Sequence, residues 1–208
     1  MKKIDVNNWS RKQQYLFYKD FDVPQYHLTV EMDVTHFLQY VKDNNLSFYL
    51  SFMYVLMLAI NEIEAFKYRI IENQVYLCDQ VHPSFTDVVD GTDNFKIVTC
   101  NLKNDVFSFI NHAKRTSMQQ GDLFIDMESE KRVDLVYVTT VPWYHYTQVT
   151  HAHNLDNRDA IPRIVWGKFE TKEEKSMMPL SMEVHHAFVD GIHLGQFLDI
   201  LQKRLNEL

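Results

Sequence analysis

The stretch VHHAFVDGIH, Val184 to His193, places three histidines and one aspartate within ten residues. Imidazole and carboxylate at this spacing suit three kinds of work: proton transfer, metal ligation, or closure of a strand-to-helix turn. The surrounding MPLSMEVHHAF reads as a strand, with Leu180, Met182, Val184 and His186 on one face and Ser181, Glu183 and His185 on the other. On that reading His186 is carried on the apolar, inward face. Desolvation there disfavours its charged form and leaves the neutral imidazole that a general base needs, a group that contributes roughly 10²–10⁴-fold to a rate. Asp190-Gly191 supplies a turn, and either residue can cap the helix that follows. Three readings stay open on these residues alone. One is a structural histidine, and one is a catalytic histidine supported by the aspartate four residues on. The third is a metal site of His186, Asp190 and His193, with acceptable ligand types but no cysteine or second carboxylate to complete it.

The elements that must position this segment follow from hydrophobic periodicity. Residues 8–19 read as a helix entered by Asn7 or Asn8, with Arg11, Tyr15 and Tyr18 on one face. YHLTVEMD (Tyr26–Asp33) alternates as a half-buried strand. A helix follows with Phe37, Leu38 and Val41 inward and Asn44-Asn45 as its stop. The run Phe48–Ile60 reads as a buried core helix, since it is short of the ~20 residues that span a bilayer. Hairpins are expected with turns at Glu72-Asn73 and around Asp90-Gly91. Asn104 opens a helix with Val106, Phe109, Ile110 and Ala113 inward. Strands are expected in DLVYVTTV, PRIVWGKF and MPLSMEVHHAF, the last two separated by the polar turn ETKEEK, and a helix from about Gly191 to Asn206 closes the chain. Strands and helices without a repeating βαβ rhythm predict an α/β (α+β) two-layer sandwich, a mixed sheet flanked by helices.

The 208 residues fit one domain, and 46% hydrophobic with 24% charged residues is ordinary globular composition. Five Gly, five Pro and no biased tract leave no linker, repeat or low-complexity segment. A net charge of −7 without a basic stripe argues against nucleic acid, and an anionic partner would need a local cationic site. No Gly-rich phosphate loop is present. Cys78 and Cys100 are too few for a zinc motif or a disulfide framework. MKKIDVNNW lacks an apolar signal core, so a cytoplasmic protein without a membrane anchor is expected.

HHAFVDG matches the HHxxxDG motif of CoA-dependent acyltransferases. NWSRKQQYLFY, VTTVPW, PRIVWGKF and MPLSMEVHHAFVDGIHLGQFLDILQ resemble, in order and over essentially the whole length, the chloramphenicol acetyltransferase family. The resemblance implies the CoA-dependent acyltransferase fold for a single domain, residues 1–208. It also implies acetyl-CoA as co-substrate with no metal, and transfer of its acetyl group to a hydroxyl of a small acceptor, chloramphenicol or similar, without an acyl-enzyme. His186 would be the general base. Asp190 would be structural, paired with Arg11 of the N-terminal helix. Thr139 stands where the family carries the serine that donates to the oxyanion; read without the resemblance, it is a β-branched residue suited to a strand. Tyr18 and Tyr26 match aromatic positions of the acceptor pocket. Lys168-Phe169 match a Lys-Tyr pair at the CoA side, although Lys168 is also an ordinary strand-end lysine. A homotrimer with active sites between subunits is implied.

Two departures qualify the acceptor. Val165 stands where the family positions a threonine that holds a water. His151 stands where it has a pocket leucine, turning an apolar wall into a titratable one; His151 and His153 also suit a plain surface loop. Two alternatives therefore accompany the chloramphenicol reading. One is the same chemistry on a different hydroxyl acceptor, and the other a non-catalytic trimer that binds a small molecule.

Overall fold

The computed structural model describes residues 1–152 and 154–208, so the expectation at His153 lies outside the described residues. Strands β1 (Lys2–Lys3), β3 (Tyr68–Ile71) and β4 (Gln74–Leu77) form a small antiparallel sheet in the order β1-β4-β3. The main sheet joins β2 (Gln25–Asp33), β5 (His82–Val88), β6 (Phe95–Thr99), β7 (Leu135–Val141), β8 (Arg163–Gly167) and β10 (Lys175–His185) in the order β2-β10-β8-β7-β5-β6. The short β9 (Glu170–Lys172) adds to β10. The sheet is mixed, because β5 and β8 run parallel to β7 while β10 runs antiparallel to β2 and β8.

Helices α1 (Lys12–Tyr18), α2 (Thr35–Asp43), α3 (Phe48–Glu62), α4 (Val106–Gln120), α5 (Met127–Glu130) and α6 (Gly191–Asn206) complete the fold. α3 is apolar on nearly every side and correspondingly buried, from Leu50 to Ile60 with Leu58 as the one half-buried break, and it packs against α4, α6 and β5. Ser47 starts it by accepting the Leu50 N–H. β10 is buried on both faces from Met178 to His185, as a strand between two others under helices and loop should be.

The expected architecture is the observed one, and the differences are local. The N-terminal helix is split. A 3₁₀ turn at Val6–Asn8 is closed by Asp5, which accepts the Asn7 N–H, and α1 starts only after Arg11, whose side chain is engaged elsewhere. Asp105, not Asn104, caps α4 through the Ser108 N–H. ETKEEK contains β9 as well as a turn, with Glu173 and Glu174 both at positive φ. The hairpin turn at Glu72-Asn73 likewise has both residues at positive φ, the geometry that matches strand twist. Among the described residues, no helix is long and apolar enough to cross a membrane.

The more consequential correction concerns the histidine pair. β10 ends at His185, so the strand alternation does not extend to His186. His185 is the buried member, 3% exposed, whereas the His186 side chain is 35% exposed.

Candidate active site

Beyond β10 the chain turns at once, the Phe188 and Val189 N–H groups both reaching the His185 carbonyl. The His185 ring clamps this turn: Nδ1 accepts the Ala187 N–H at 3.1 Å, which leaves Nε2 to donate to the Asn157 carbonyl at 2.9 Å. Burial lowers its pKa, so the residue that desolvation keeps neutral is His185. His186 follows with its N–H on the Pro24 carbonyl. Its ring lies parallel to Tyr18 of α1, 4.4 Å between centroids at 11°, and leans on Tyr26 of β2 at 4.5 Å. Nδ1 is the buried nitrogen of His186 and faces Asp190 Oδ1 at 3.4 Å without a hydrogen bond, so the exposed part of the ring excludes Nδ1.

Arg11 secures the aspartate. Its two terminal nitrogens reach the two Asp190 oxygens at 2.9 and 3.1 Å, and Nε and Nη2 also donate to the Ala187 carbonyl. The side chains are 14% and 32% exposed, and the guanidinium holds the Asp190 carboxyl below its usual range. Tyr26 closes the nest by donating to the Val189 carbonyl, and burial pushes its phenol up to about 12. Among the three residues considered for a metal, Asp190 has both oxygens taken by Arg11, and His193 Nδ1 accepts the Asp190 N–H at 2.9 Å. That arrangement caps α6 and leaves no shared ion position, so the metal reading of His186, Asp190 and His193 is set aside.

Thr139 lies elsewhere, on β7 opposite Val165 of β8, with its hydroxyl 2.9 Å from the Thr86 hydroxyl. If Thr139 accepts from Thr86, its own proton is left for a ligand. Sequence reasoning passes over Thr86, because nothing local links β5 to β7. Thr86 and Thr139 line a cavity of about 650 Å³ together with Tyr137, His151 and Arg163. His151 is therefore a wall residue, 14% exposed. Val165 is buried, and the Tyr146 hydroxyl donates to its carbonyl. Lys168 and Phe169 are exposed past the end of β8, with Phe169 beside Phe48 at 5.9 Å between centroids.

Register measures how far apart these groups are. Thr139 pairs with Val165, and Val165 with Ser181. His186 is five residues beyond Ser181, about 17 Å at strand rise, and two strand spacings add about 10 Å across, giving roughly 20 Å. Leu180 pairs with Trp166, so the level of His186 and that of Lys168 differ by eight residues, about 27 Å. The structure thus brings His186, Asp190, Arg11, Tyr18 and Tyr26 together and separately joins Thr139 to His151. One chain does not bring the two groups, or Lys168, to a single point.

The family profile described as "Chloramphenicol acetyltransferase" matches residues 1–202. A chloramphenicol acetyltransferase of Proteus mirabilis is 28% identical over 205 residues, 98% of this chain and 94% of its own. One of Clostridium perfringens is 26% identical over 207 residues, covering 98% of each. A solved chloramphenicol acetyltransferase structure superimposes with a TM-score of 0.89 at 28% identity, covering 98% of this chain and 99% of the other. A probable dihydrolipoamide acetyltransferase of Listeria monocytogenes shares the fold alone, at a TM-score of 0.68 and 12% identity over 100% of this chain and 95% of that one. With that profile spanning nearly all of its 208 residues, the chain belongs to the chloramphenicol acetyltransferase family.

Proposed function

We propose that the protein is a CoA-dependent O-acetyltransferase that moves the acetyl group of acetyl-CoA to a hydroxyl of a small acceptor. The observation that carries this reading is the His186 nest, an imidazole stacked on Tyr18 and Tyr26 and backed by an aspartate that Arg11 holds bidentately. Such a histidine is pre-positioned at little entropic cost, and Asp190 is occupied by Arg11 rather than free to relay protons. His186 removes the acceptor hydroxyl proton as the oxygen attacks the thioester carbonyl. Thr139, supported by Thr86, donates to the oxyanion of the tetrahedral intermediate. Collapse expels the CoA thiolate, which takes the proton back from His186, leaving an acetyl ester and free thiol without an acyl-enzyme.

The separation of roughly 20 Å between base and oxyanion donor supports a site shared between two copies, His186 from one and the cavity with Thr139 and His151 from the next. A homotrimer satisfies this, with residues 1–208 as one catalytic domain in each copy. Lys168 supplies local positive charge for the CoA phosphates on a chain of net charge −7, and Phe169 offers a ring face but no hydroxyl.

Chloramphenicol is the first acceptor to test. A different hydroxyl acceptor is favoured by the cavity wall, where His151 and Arg163 present polar groups. Thiol release from acetyl-CoA with chloramphenicol, run beside His186→Ala, tests the reading. Release that disappears in the variant supports both reaction and base. Release dependent on His186 only with other alcohols keeps the chemistry and changes the acceptor. No release and no CoA binding would leave a non-catalytic binder.

A further inference from the structure

His27, His151 and Glu183 come from three distant parts of the sequence and meet at one point, each offering a ligand atom within 4.8 Å of the others. Two of them are cross-strand neighbours, since Glu183 of β10 pairs with His27 of β2. The third descends from the segment between β7 and β8. His27 Nε2 lies 3.5 Å from Glu183 Oε2, and His151 Nδ1 lies 3.7 Å from the same oxygen. Both ring nitrogens of His151 are buried and make no hydrogen bond among the described residues.

These separations are informative. At 3.7 Å a nitrogen and an oxygen are too far apart for a hydrogen bond. A zinc ion with bonds of 2.0–2.2 Å holds tetrahedral ligands about 3.3–3.6 Å from one another, close to the two nitrogen–oxygen separations found. Two imidazoles and one carboxylate are also a donor set that zinc accepts with its fourth position left to water or a substrate oxygen. The carboxylate is oriented from behind: Arg163 Nη1 donates to Glu183 Oε1 at 3.0 Å, so Oε2 is the oxygen turned to the histidines. Arg163 is itself balanced by Asp159. Outer partners of this kind fix ligand direction in metal sites, and the second carboxylate offsets the guanidinium charge.

We propose that His27 Nε2, His151 Nδ1 and Glu183 Oε2 form a binding site for a divalent transition metal, zinc by donor set, with one exchangeable position. The ion sits at the wall of the cavity that holds Thr139, since His151 and Arg163 line that cavity. This departs from the sequence-level expectation of no metal, and it does not depend on the acetyl-transfer reading.

The test uses the untagged full-length protein, stripped with chelator and titrated with Zn²⁺ by calorimetry and with Co²⁺ by visible absorption. One ion per chain is expected, with cobalt bands of low-coordinate, nitrogen-ligated type. His27→Ala and His151→Ala should each weaken binding by more than the roughly 10–100-fold that loss of an outer partner costs. His36→Ala, an exposed histidine on α2, should leave binding unchanged. Absence of stoichiometric binding, octahedral cobalt spectra, or affinity unchanged from the unsubstituted protein in both variants overturns the proposal and leaves an ion-paired cluster. The cobalt spectrum of the unsubstituted protein decides the matter even if a variant fails to fold.

Discussion

At the scale of single residues, the two histidines of the motif divide the labour. His185 is buried and locked between the Ala187 N–H and the Asn157 carbonyl, while His186 carries the accessible ring. Replacing His186 by Ala should lower kcat by roughly 10²–10⁴-fold with little change in denaturant midpoint. Asp190→Ala or Arg11→Ala should instead cost about 1–3 kcal/mol, between the ranges of exposed and buried pairs, with activity lost through misplacement of His186. Paired unfolding curves and kcat values separate the two effects. His185 adds a pH signature. Its folded pKa lies below the ordinary value, so the unfolded chain binds protons that the folded chain refuses. Its contribution is present above about pH 6.5 and is lost as the pH falls through the lower folded value. Burial acts in the same direction on His82, His112 and His193. Denaturant midpoints measured from about pH 7.5 down to pH 5.5 should fall, and His185→Gln should make that slope shallower.

At the scale of elements, β8 places both a wall of the cavity and the start of the Lys168-Phe169 pair, and Gly167 sets how closely its end can approach β10. A Cβ there would meet Pro179 Cγ and the Tyr144 carbonyl at 2.8 Å and Tyr146 Cδ1 at 2.9 Å. The backbone carbonyl has little room to yield, so Gly167→Ala should destabilise by about 1–3 kcal/mol. The next residue is Lys168, whose N–H bonds the same Tyr144 carbonyl. The KM for acetyl-CoA should therefore rise more than the KM for the acceptor, as steady-state kinetics with each substrate varied would show. Elements are also where sequence reading succeeds and fails for clear reasons. α6 runs from Gly191 to Asn206 as expected, because Asp190 stands at its N-cap with its N–H donated to His193 Nδ1, and its apolar period is regular. The assignment of His186 to the inward face failed because two-residue alternation holds only while a strand continues, and β10 stops one residue earlier. The partnership of His27 with Glu183 and the support of Thr139 by Thr86 were not legible, since strand register across distant segments leaves no local pattern. Arg69, fully buried and donating to five carbonyls around the start of β7, gives no local signal either.

At the scale of the whole molecule, the sheet order sets the distance between the groups proposed to act on the substrates. His186 lies past one end of β10, Thr139 two strands across and five residues back, and Lys168 towards the other end. A separation of roughly 20 Å is far beyond the ~3 Å at which a base and an oxyanion donor serve one tetrahedral centre. If His186 and Thr139 act on one centre, as proposed, the working site must take residues from two copies. The most direct measurement co-refolds His186→Ala and Thr139→Ala chains, each with little activity alone, and assays thiol release from acetyl-CoA with an accepted alcohol. In a mixed assembly some sites receive an intact His186 from one chain and an intact Thr139 from its neighbour, so activity well above either parent is predicted. If both groups act within a single chain, every site carries one lesion, and a mixture no more active than its components would contradict the account.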